Sequence, residues 1–161
     1  MPTYTHESTV EAPLDVVWSF HDGVDGLLAL TPDFLHLRVD GMVDEAGDPT
    51  SGPLEPGDRV SLSMKPFGVL PRVSWTSLIV DEVEEDGRAE FVDEMVAGPF
   101  DRWVHTHTFE AADGDEATVC RDRVEYRPSL WMGDGLGWPA VHLVLALVFR
   151  YRHRELARRL A

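Results

Sequence analysis

The sequence predicts an α+β protein in which a strongly curved antiparallel sheet of about seven strands wraps around one long C-terminal helix. Runs that alternate between apolar and polar residues follow one another along the middle of the chain, which is typical of antiparallel strands. Two short helix patterns precede most of these strands, and one long amphipathic helix pattern ends the chain. Only a curved sheet lets a single helix cover so many strands.

The N-terminal part of the chain predicts one strand followed by two short helices. Residues 3–12 alternate in polarity and predict the opening strand. Pro13 begins a short helix that ends near residue 23, because proline is favoured in the first helical turn and glycine at the end. Residues 26–30 predict a second short helix, which stops before Pro32.

Six consecutive antiparallel strands are predicted after the helix pair. They occupy residues 34–39, 58–64, 72–84, 88–96, 102–110 and 117–127. A surface loop rich in proline, glycine and acidic residues is predicted at residues 44–57. The terminal helix is predicted at residues 138–160, and its wide apolar stripe requires a large concave partner. This order of elements predicts a helix-grip arrangement.

The last two strands form a hairpin whose turn defines the pairing of its residues. A turn centred on Gly114 and Asp115 pairs Trp103 with Tyr126, His105 with Val124, His107 with Asp122 and Phe109 with Cys120. The same reasoning across the Gly98-Pro99 turn pairs Asp93 with His105. Two histidine–aspartate pairs would then lie side by side on the inner face of the sheet. A slip of one residue in either turn would move one partner to the solvent face.

The charge balance of the chain is strongly acidic. Asp and Glu number 29 against 14 Lys and Arg, which gives a formal net charge of -15, and Lys65 is the only lysine. This balance argues against nucleic acid as a partner. An acidic chain nearly without lysine is typical of halophiles, in which high salt screens the self-repulsion.

Chain length and cysteine content indicate a single cytoplasmic domain. The 161 residues suffice for one domain with a full core, so residues 1–161 are expected to form a single unit. Cys120 is alone and cannot form an intramolecular disulfide. The N-terminus lacks a signal-peptide pattern, and the longest apolar run, residues 139–149, is too short for a bilayer. We therefore expect a cytoplasmic protein without integral membrane association.

Several short motifs carry a resemblance to a known family. They are residues 12–18, residues 56–58, Gly98-Pro99-Phe100 followed by Trp103, His105, His107 and Phe109, residues 122–126, and residues 151–154. With these motifs the chain resembles the SRPBCC superfamily, which includes START domains, the birch-pollen-allergen fold and polyketide cyclase/dehydrase-like proteins. The resemblance implies a helix-grip fold with a cavity between the sheet and the terminal helix, where an apolar or amphipathic small molecule binds.

The first functional hypothesis is binding or transport of a hydrophobic or amphipathic small molecule, such as a lipid, isoprenoid or aromatic metabolite. The alternatives are an enzyme of the polyketide cyclase/dehydrase type and a protein-interaction module. Neither a cofactor nor a metal is predicted, and the oligomeric state stays open. The predicted ligand-binding residues are Trp75, Phe91, Met95, Trp103, His105, His107, Phe109, Tyr126, Trp138, His142 and Leu145.

The inward-facing polar residues Asp93, His105, His107 and Asp122 allow four interpretations. They could be satisfied polar pairs that fix the strand register, or they could bind the polar end of a ligand. His105 or His107 could move protons in an aldol-type cyclisation or dehydration. Two histidines and two aspartates could also hold a metal ion. The sequence leaves these alternatives open, because a carboxylate raises the pKa of a neighbouring imidazole and burial lowers it.

The remaining histidines and one glycine-rich loop receive simpler interpretations. Packing or surface roles are expected for His6, His21, His36, His142 and His153. The loop at residues 131–138 places glycines between tryptophans, which is compatible with a lid over the cavity or with an ordinary connection.

Overall fold

A computed structural model describes residues 2–129 and 137–160, with the side chains of residues 137 and 138 excepted. Within these residues, seven strands form one antiparallel sheet with the spatial order β1-β7-β6-β5-β4-β3-β2. The strands are β1 Thr3–Val10, β2 Arg38–Val43, β3 Arg59–Met64, β4 Val73–Glu85, β5 Arg88–Ala97, β6 Phe100–Ala112 and β7 Ala117–Pro128. The β1 strand pairs with β7, and the other pairs join neighbours in sequence.

Three α-helices accompany the sheet in the described part of the chain. They are α1 Leu14–His21, α2 Val24–Ala29 and α3 Gly137–Leu160. Two single turns of 3-10 helix lie at Asp33–Leu35 and Pro66–Gly68. The predicted order of one strand, two short helices, six strands and a long helix is confirmed, and with it the helix-grip architecture. None of the described helices is both long and apolar enough to span a membrane.

The predicted strand at residues 34–39 is wrong for its first four residues. Phe34 lies in a 3-10 turn, and His36 adopts a left-handed φ of 47°, so β2 begins only at Arg38. The Phe34 ring stacks on Phe67 with ring centroids 5.1 Å apart. This aromatic contact holds residues 33–35 against the loop between β3 and β4, and the short alternating pattern did not reveal it.

The registers predicted around the central hairpin are confirmed. Trp103 pairs with Tyr126, His105 with Val124, His107 with Asp122 and Phe109 with Cys120. Across the turn between β5 and β6, Asp93 pairs with His105. The polar residues of three neighbouring strands therefore meet on one face of the sheet, where α3 also lies.

The long helix α3 packs over one end of the sheet. Leu145 and Phe149 of the helix contact a cluster that contains Tyr4, Val124 and Tyr126 on β1 and β7. A second cluster fills the space toward the two short helices and contains Val10, Val17, Leu30, Phe109, Cys120 and Leu156. These clusters fill the inner face near β1, β7 and the adjoining part of β6. The inner face of β3 to β5 lies farther from α3, and a cavity opens there.

Gly98 turns the chain between β5 and β6 at the edge of this cavity. Its φ of 149° disfavours an L side chain, and an added Cβ would lie 2.7 Å from Met95 Sδ and from Trp75 Cβ. We expect Gly98→Ala to lower the free energy of unfolding by about 2 kcal/mol, through backbone strain and overpacking. Guanidinium-induced unfolding measures this change.

Gly41→Ala in β2 is the matched control, because an added Cβ there meets no atom within 4 Å. Its free energy of unfolding should stay within about 0.5 kcal/mol of the parent protein. Equal unfolding midpoints for Gly98→Ala and the parent would contradict the close packing of this turn.

Candidate functional site

A cavity of about 220 Å³ lies between the inner face of the sheet and the two short helices. Side chains of β3, β4, β5 and β6 form its floor, and α1, α2 and one residue of α3 contribute to the remaining wall. The apolar lining consists of Val24, Leu27, Leu54, Val60, Leu62, Met64, Val73, Trp75, Ile79, Phe91, Met95, Pro99, Phe100 and Trp103. The polar lining consists of His21, Ser77, Asp93, His105, His107 and Arg152.

The period of the strands explains why these residues line the cavity. Val60, Leu62 and Met64 are alternate residues of β3, and alternate side chains of a strand point to the same face. Trp103, His105 and His107 follow the same rule on β6, so one strand contributes both an aromatic ring and two imidazoles. A largely apolar cavity with a few converging polar groups is typical of small-molecule sites.

His107 lies between two carboxylates. Its Nε2 is 3.0 Å from Asp93 Oδ2, and its Nδ1 is 3.1 Å from Asp122 Oδ1. Ionised carboxylates only accept hydrogen bonds, so both ring nitrogens must carry a proton for both bonds to form. Burial lowers the pKa of His107, but the hydrogen bonds with Asp122 and Asp93 outweigh burial and raise it above its usual value. The two carboxylates therefore favour the protonated, cationic form of His107.

His105 has a different protonation state from its neighbour. Its Nε2 donates to Asp122 Oδ1 at 2.7 Å, whereas its Nδ1 is 3.7 Å from Asp93 Oδ2 and beyond hydrogen-bond distance. Burial and the positive charge of His107 lower the pKa of His105, despite the hydrogen bond with Asp122. The neutral ring thus keeps its proton on Nε2, and Nδ1 remains an acceptor in the cavity wall.

Asp122 connects the sheet to the terminal helix. Its Oδ1 accepts from the two histidines of β6, and its Oδ2 accepts from Nε2 of His153 on α3 at 2.6 Å. Nδ1 of His153 in turn forms a hydrogen bond with the Ser8 hydroxyl on β1, at 2.5 Å. Burial raises the pKa of Asp122, but the hydrogen bonds from the three histidines overcome this effect and hold it well below its usual value.

The expected packing or surface role of His153 is therefore incomplete. His153 is buried, 5% exposed, and belongs to the same hydrogen-bonded cluster as His105 and His107. The sequence signal was available, because His153 falls on the helix face that carries Leu145, Phe149 and Leu156. A histidine on a buried apolar stripe requires a polar partner.

The cavity brings together some of the predicted ligand-binding residues but not all. Those that line it are Trp75, Phe91, Met95, Trp103, His105 and His107. Phe109, Tyr126 and Leu145 are instead buried in the two core clusters. His142 contacts the Tyr126 hydroxyl at 3.4 Å and the Tyr4 ring. These four residues lie outside the lining of this cavity.

The predictions for Trp138 and for the glycine-rich loop cannot be compared with the structure. The Trp138 side chain and the rest of the proposed lid, residues 131–138, lie outside the described side chains. Sequence reasoning also missed the contribution of the two short helices, whose residues His21, Val24 and Leu27 close the cavity. Nothing in a pattern of two short helices indicates how they cross the sheet.

Arg152 is another lining residue that the sequence analysis missed. It lies on the cavity side of α3, and its guanidinium carbon is 5.4 Å from the Phe149 ring centroid. Burial lowers the pKa of Arg152, whereas the charges of Asp122 and Asp93 raise it. The sequence did contain a signal for Arg152, because it follows the packed residue Phe149 by three positions and so lies near the same face of the helix. The neighbouring arginines of α3 are exposed.

His21 and Cys120 are titratable groups that burial keeps neutral. His21 donates Nδ1–H to the Val17 carbonyl oxygen at 2.8 Å, and burial lowers its pKa to about 4. Burial raises the pKa of the Cys120 thiol to about 12, so it behaves as a small apolar side chain. His21 thus offers only an Nε2 acceptor to the cavity.

Among the residues that the structure describes, Asp93, His105 and His107 form a group that could hold a metal ion. One ligand atom from each lies within 4.8 Å of the others. Two imidazole nitrogens and a carboxylate are donors that suit zinc and related cations. His107 Nε2 already bonds to Asp93 Oδ2, so a cation bound between these two atoms would replace the Nε2 proton of His107.

Replacing Asp122 should remove part of the acid-sensitive stability. Its lowered pKa stabilises the folded protein above the unfolded pKa of about 4, and this contribution is lost as pH falls through the lower folded pKa. We expect Asp122→Asn to lower the free energy of unfolding by about 3 kcal/mol at pH 7 and to flatten its decrease in acid. Denaturant unfolding between pH 2 and pH 7 measures both effects.

Asp86→Asn is the control for loss of one formal charge, because Asp86 lies in the exposed turn between β4 and β5. Its stability profile should follow that of the parent protein. A parallel profile for Asp122→Asn as well would show that the three histidines do not depend on this carboxylate.

Solved structures share this fold along nearly the whole chain. A START superfamily protein from Mycobacterium smegmatis aligns over 98% of this chain and 96% of its own, with 11% identity and a TM-score of 0.59. Ara h 8.0201 aligns over 99% and 97%, with 17% identity and a TM-score of 0.63. The di-domain ARO/CYC BexL from the BE-7585A biosynthetic pathway aligns over 98% of this chain and 46% of its own, with 17% identity and a TM-score of 0.63.

These similarities support an SRPBCC-like fold, and at such identities they show the fold alone. No curated protein sequence matches this chain. A family model described as "Domain of unknown function (DUF8410)" matches residues 8–160, and the protein therefore belongs to that family.

Proposed function

We propose that the protein binds a hydrophobic or amphipathic small molecule in the cavity between the sheet and the helices. The observation that carries the proposal is the cavity of about 220 Å³ with an apolar and aromatic lining and polar groups along one wall. Burying an apolar molecule there removes apolar surface of both partners from water. Trp75, Phe91 and Trp103 provide large rigid surfaces for such contacts.

The polar wall supports an amphipathic ligand in preference to a purely apolar one. His105 presents an acceptor nitrogen, and Arg152 presents donor groups within the same lining. The similarity to a START superfamily protein and to Ara h 8.0201 is compatible with this function but shows only the fold.

Acid–base catalysis is the second candidate, and one observation favours it. The Asp122 carboxylate orients His105 through Nε2, which leaves Nδ1 as a neutral base in the cavity wall. A carboxylate that fixes the tautomer of a histidine is a recurrent arrangement in general-base catalysis. The similarity to a di-domain ARO/CYC protein supports testing cyclisation or dehydration of a polyketide-like substrate.

Filling the cavity should abolish ligand binding without unfolding the protein. Ser77 lines the cavity on β4, so the indole of Ser77→Trp would occupy the space of the ligand. We expect at least a tenfold weaker binding of the neutral dye N-phenyl-1-naphthylamine, since the ligand loses its apolar contacts. The dye's fluorescence enhancement, measured in high salt, gives the affinity.

Ser74→Trp is the matched control, because Ser74 is exposed on the same strand. It should bind the dye like the parent protein. Organic extraction of the parent purified in high salt, followed by mass spectrometry, should also return a bound molecule that Ser77→Trp lacks. Equal dye binding and equal extracts from both variants would overturn the proposed site.

Incubating the extracted molecule, or a polyketide-like substrate, with the protein distinguishes the two functions. A binding protein returns the molecule unchanged. An enzyme returns a product of cyclisation or dehydration, and His105→Gln should reduce that rate by a factor of about 100 or more, since it removes the base. A product formed equally fast by His105→Gln would exclude His105 as the base.

A further inference from the structure

Arg152 is a charged group of the cavity wall whose partners do not explain its position. It is a residue of α3 that reaches the cavity, and it also borders a void of about 10 Å³ beside Asp122 and His153. That void has room for about one water molecule. Nearby on the same helix, Arg154 is exposed and Arg158 pairs with Glu155.

The carboxylates nearest to Arg152 are committed to histidines. Within residues 2–129 and 137–160, no ion pair joins Arg152 to a carboxylate within 4.0 Å. Asp122 accepts from His105 and His107 on one oxygen and from His153 on the other, and Asp93 accepts from His107. Asp122 and Asp93 therefore attract the guanidinium electrostatically without binding it directly.

The donors of Arg152 face open space. In the described part of the chain, no buried side-chain nitrogen or oxygen is both sealed from solvent and without a hydrogen-bond partner. Since no bond joins the guanidinium to these residues, its nitrogens keep access to solvent, and the partly buried Arg152 lines both the cavity and the small void. A partly desolvated guanidinium presents a planar fork of donors that matches the two oxygens of a carboxylate.

We propose that the cavity selects an apolar molecule with a carboxylate head, which Arg152 binds through paired hydrogen bonds. The apolar body then lies along Leu62, Trp75 and Phe91 of the sheet. This inference rests on the proposed function and deepens it, because it names the class of ligand and the residue that recognises it. An apolar acid of modest size fits both the charge of Arg152 and the apolar lining.

Three probes that differ only in their head group test the inference. Decanoic acid, methyl decanoate and 1-decanol are titrated at pH 7 in high salt against the parent protein loaded with N-phenyl-1-naphthylamine. We expect decanoate to displace the dye with at least tenfold higher affinity than 1-decanol, because charge-assisted hydrogen bonds are stronger than neutral ones.

The Arg152→Gln variant should weaken decanoate binding by a factor of about 10 to 100 and change 1-decanol binding by less than about threefold. Arg152→Lys keeps the charge without the planar fork and should fall between the two. Arg154→Gln is the matched control on the exposed side of the helix and should bind all three probes like the parent.

The outcomes separate this inference from the proposed function. If the parent binds the acid and the alcohol equally, the carboxylate inference is overturned and the apolar site stands. The same conclusion follows if Arg152→Gln loses both probes equally while staying folded by circular dichroism. If the parent binds neither the dye nor any probe, the proposed function fails and the inference fails with it.

Discussion

The Asp122 carboxylate is the interaction on which the rest of the structure depends. It accepts hydrogen bonds from His105 and His107 of β6 and from His153 of α3, so one partly buried anion joins β7, its neighbour and the terminal helix. Losing it would leave three histidines without their acceptor in a low-dielectric interior, which is costly. The cluster therefore holds the helix on the sheet while it also forms part of the wall around the cavity.

The charges of this cluster explain why it can be both structural and functional. His107 bridges Asp93 and Asp122 as a cation, so the carboxylates are largely satisfied within the protein. The neutral His105 and the guanidinium of Arg152 keep groups directed to the cavity. Some atoms of the cluster thus form satisfied hydrogen-bonded pairs, whereas other atoms of the same cluster face the cavity and can bind a ligand. The two interpretations do not exclude each other.

The position of α3 decides which residues form core and which form cavity. Leu145 and Phe149 fill the space against β1 and β7, and the side chains opposite them become core. The strands β3 to β5 curve away from the helix, so Leu62, Trp75 and Phe91 line empty space. The inner face of the sheet therefore serves two purposes, because one rigid helix covers only one end of it.

The sequence by itself determined the order of elements and the registers around His105 and His107, because turn residues and a period of two define local pairing. Local patterns carry no information on distant contacts. Only the tertiary structure showed that Phe34 stacks on Phe67 and that Tyr126, His142 and Leu145 lie away from the cavity. It also brought His153 and Arg152 of α3 to Asp122 and the cavity. All of these contacts join residues far apart in the chain, and tertiary packing decides them.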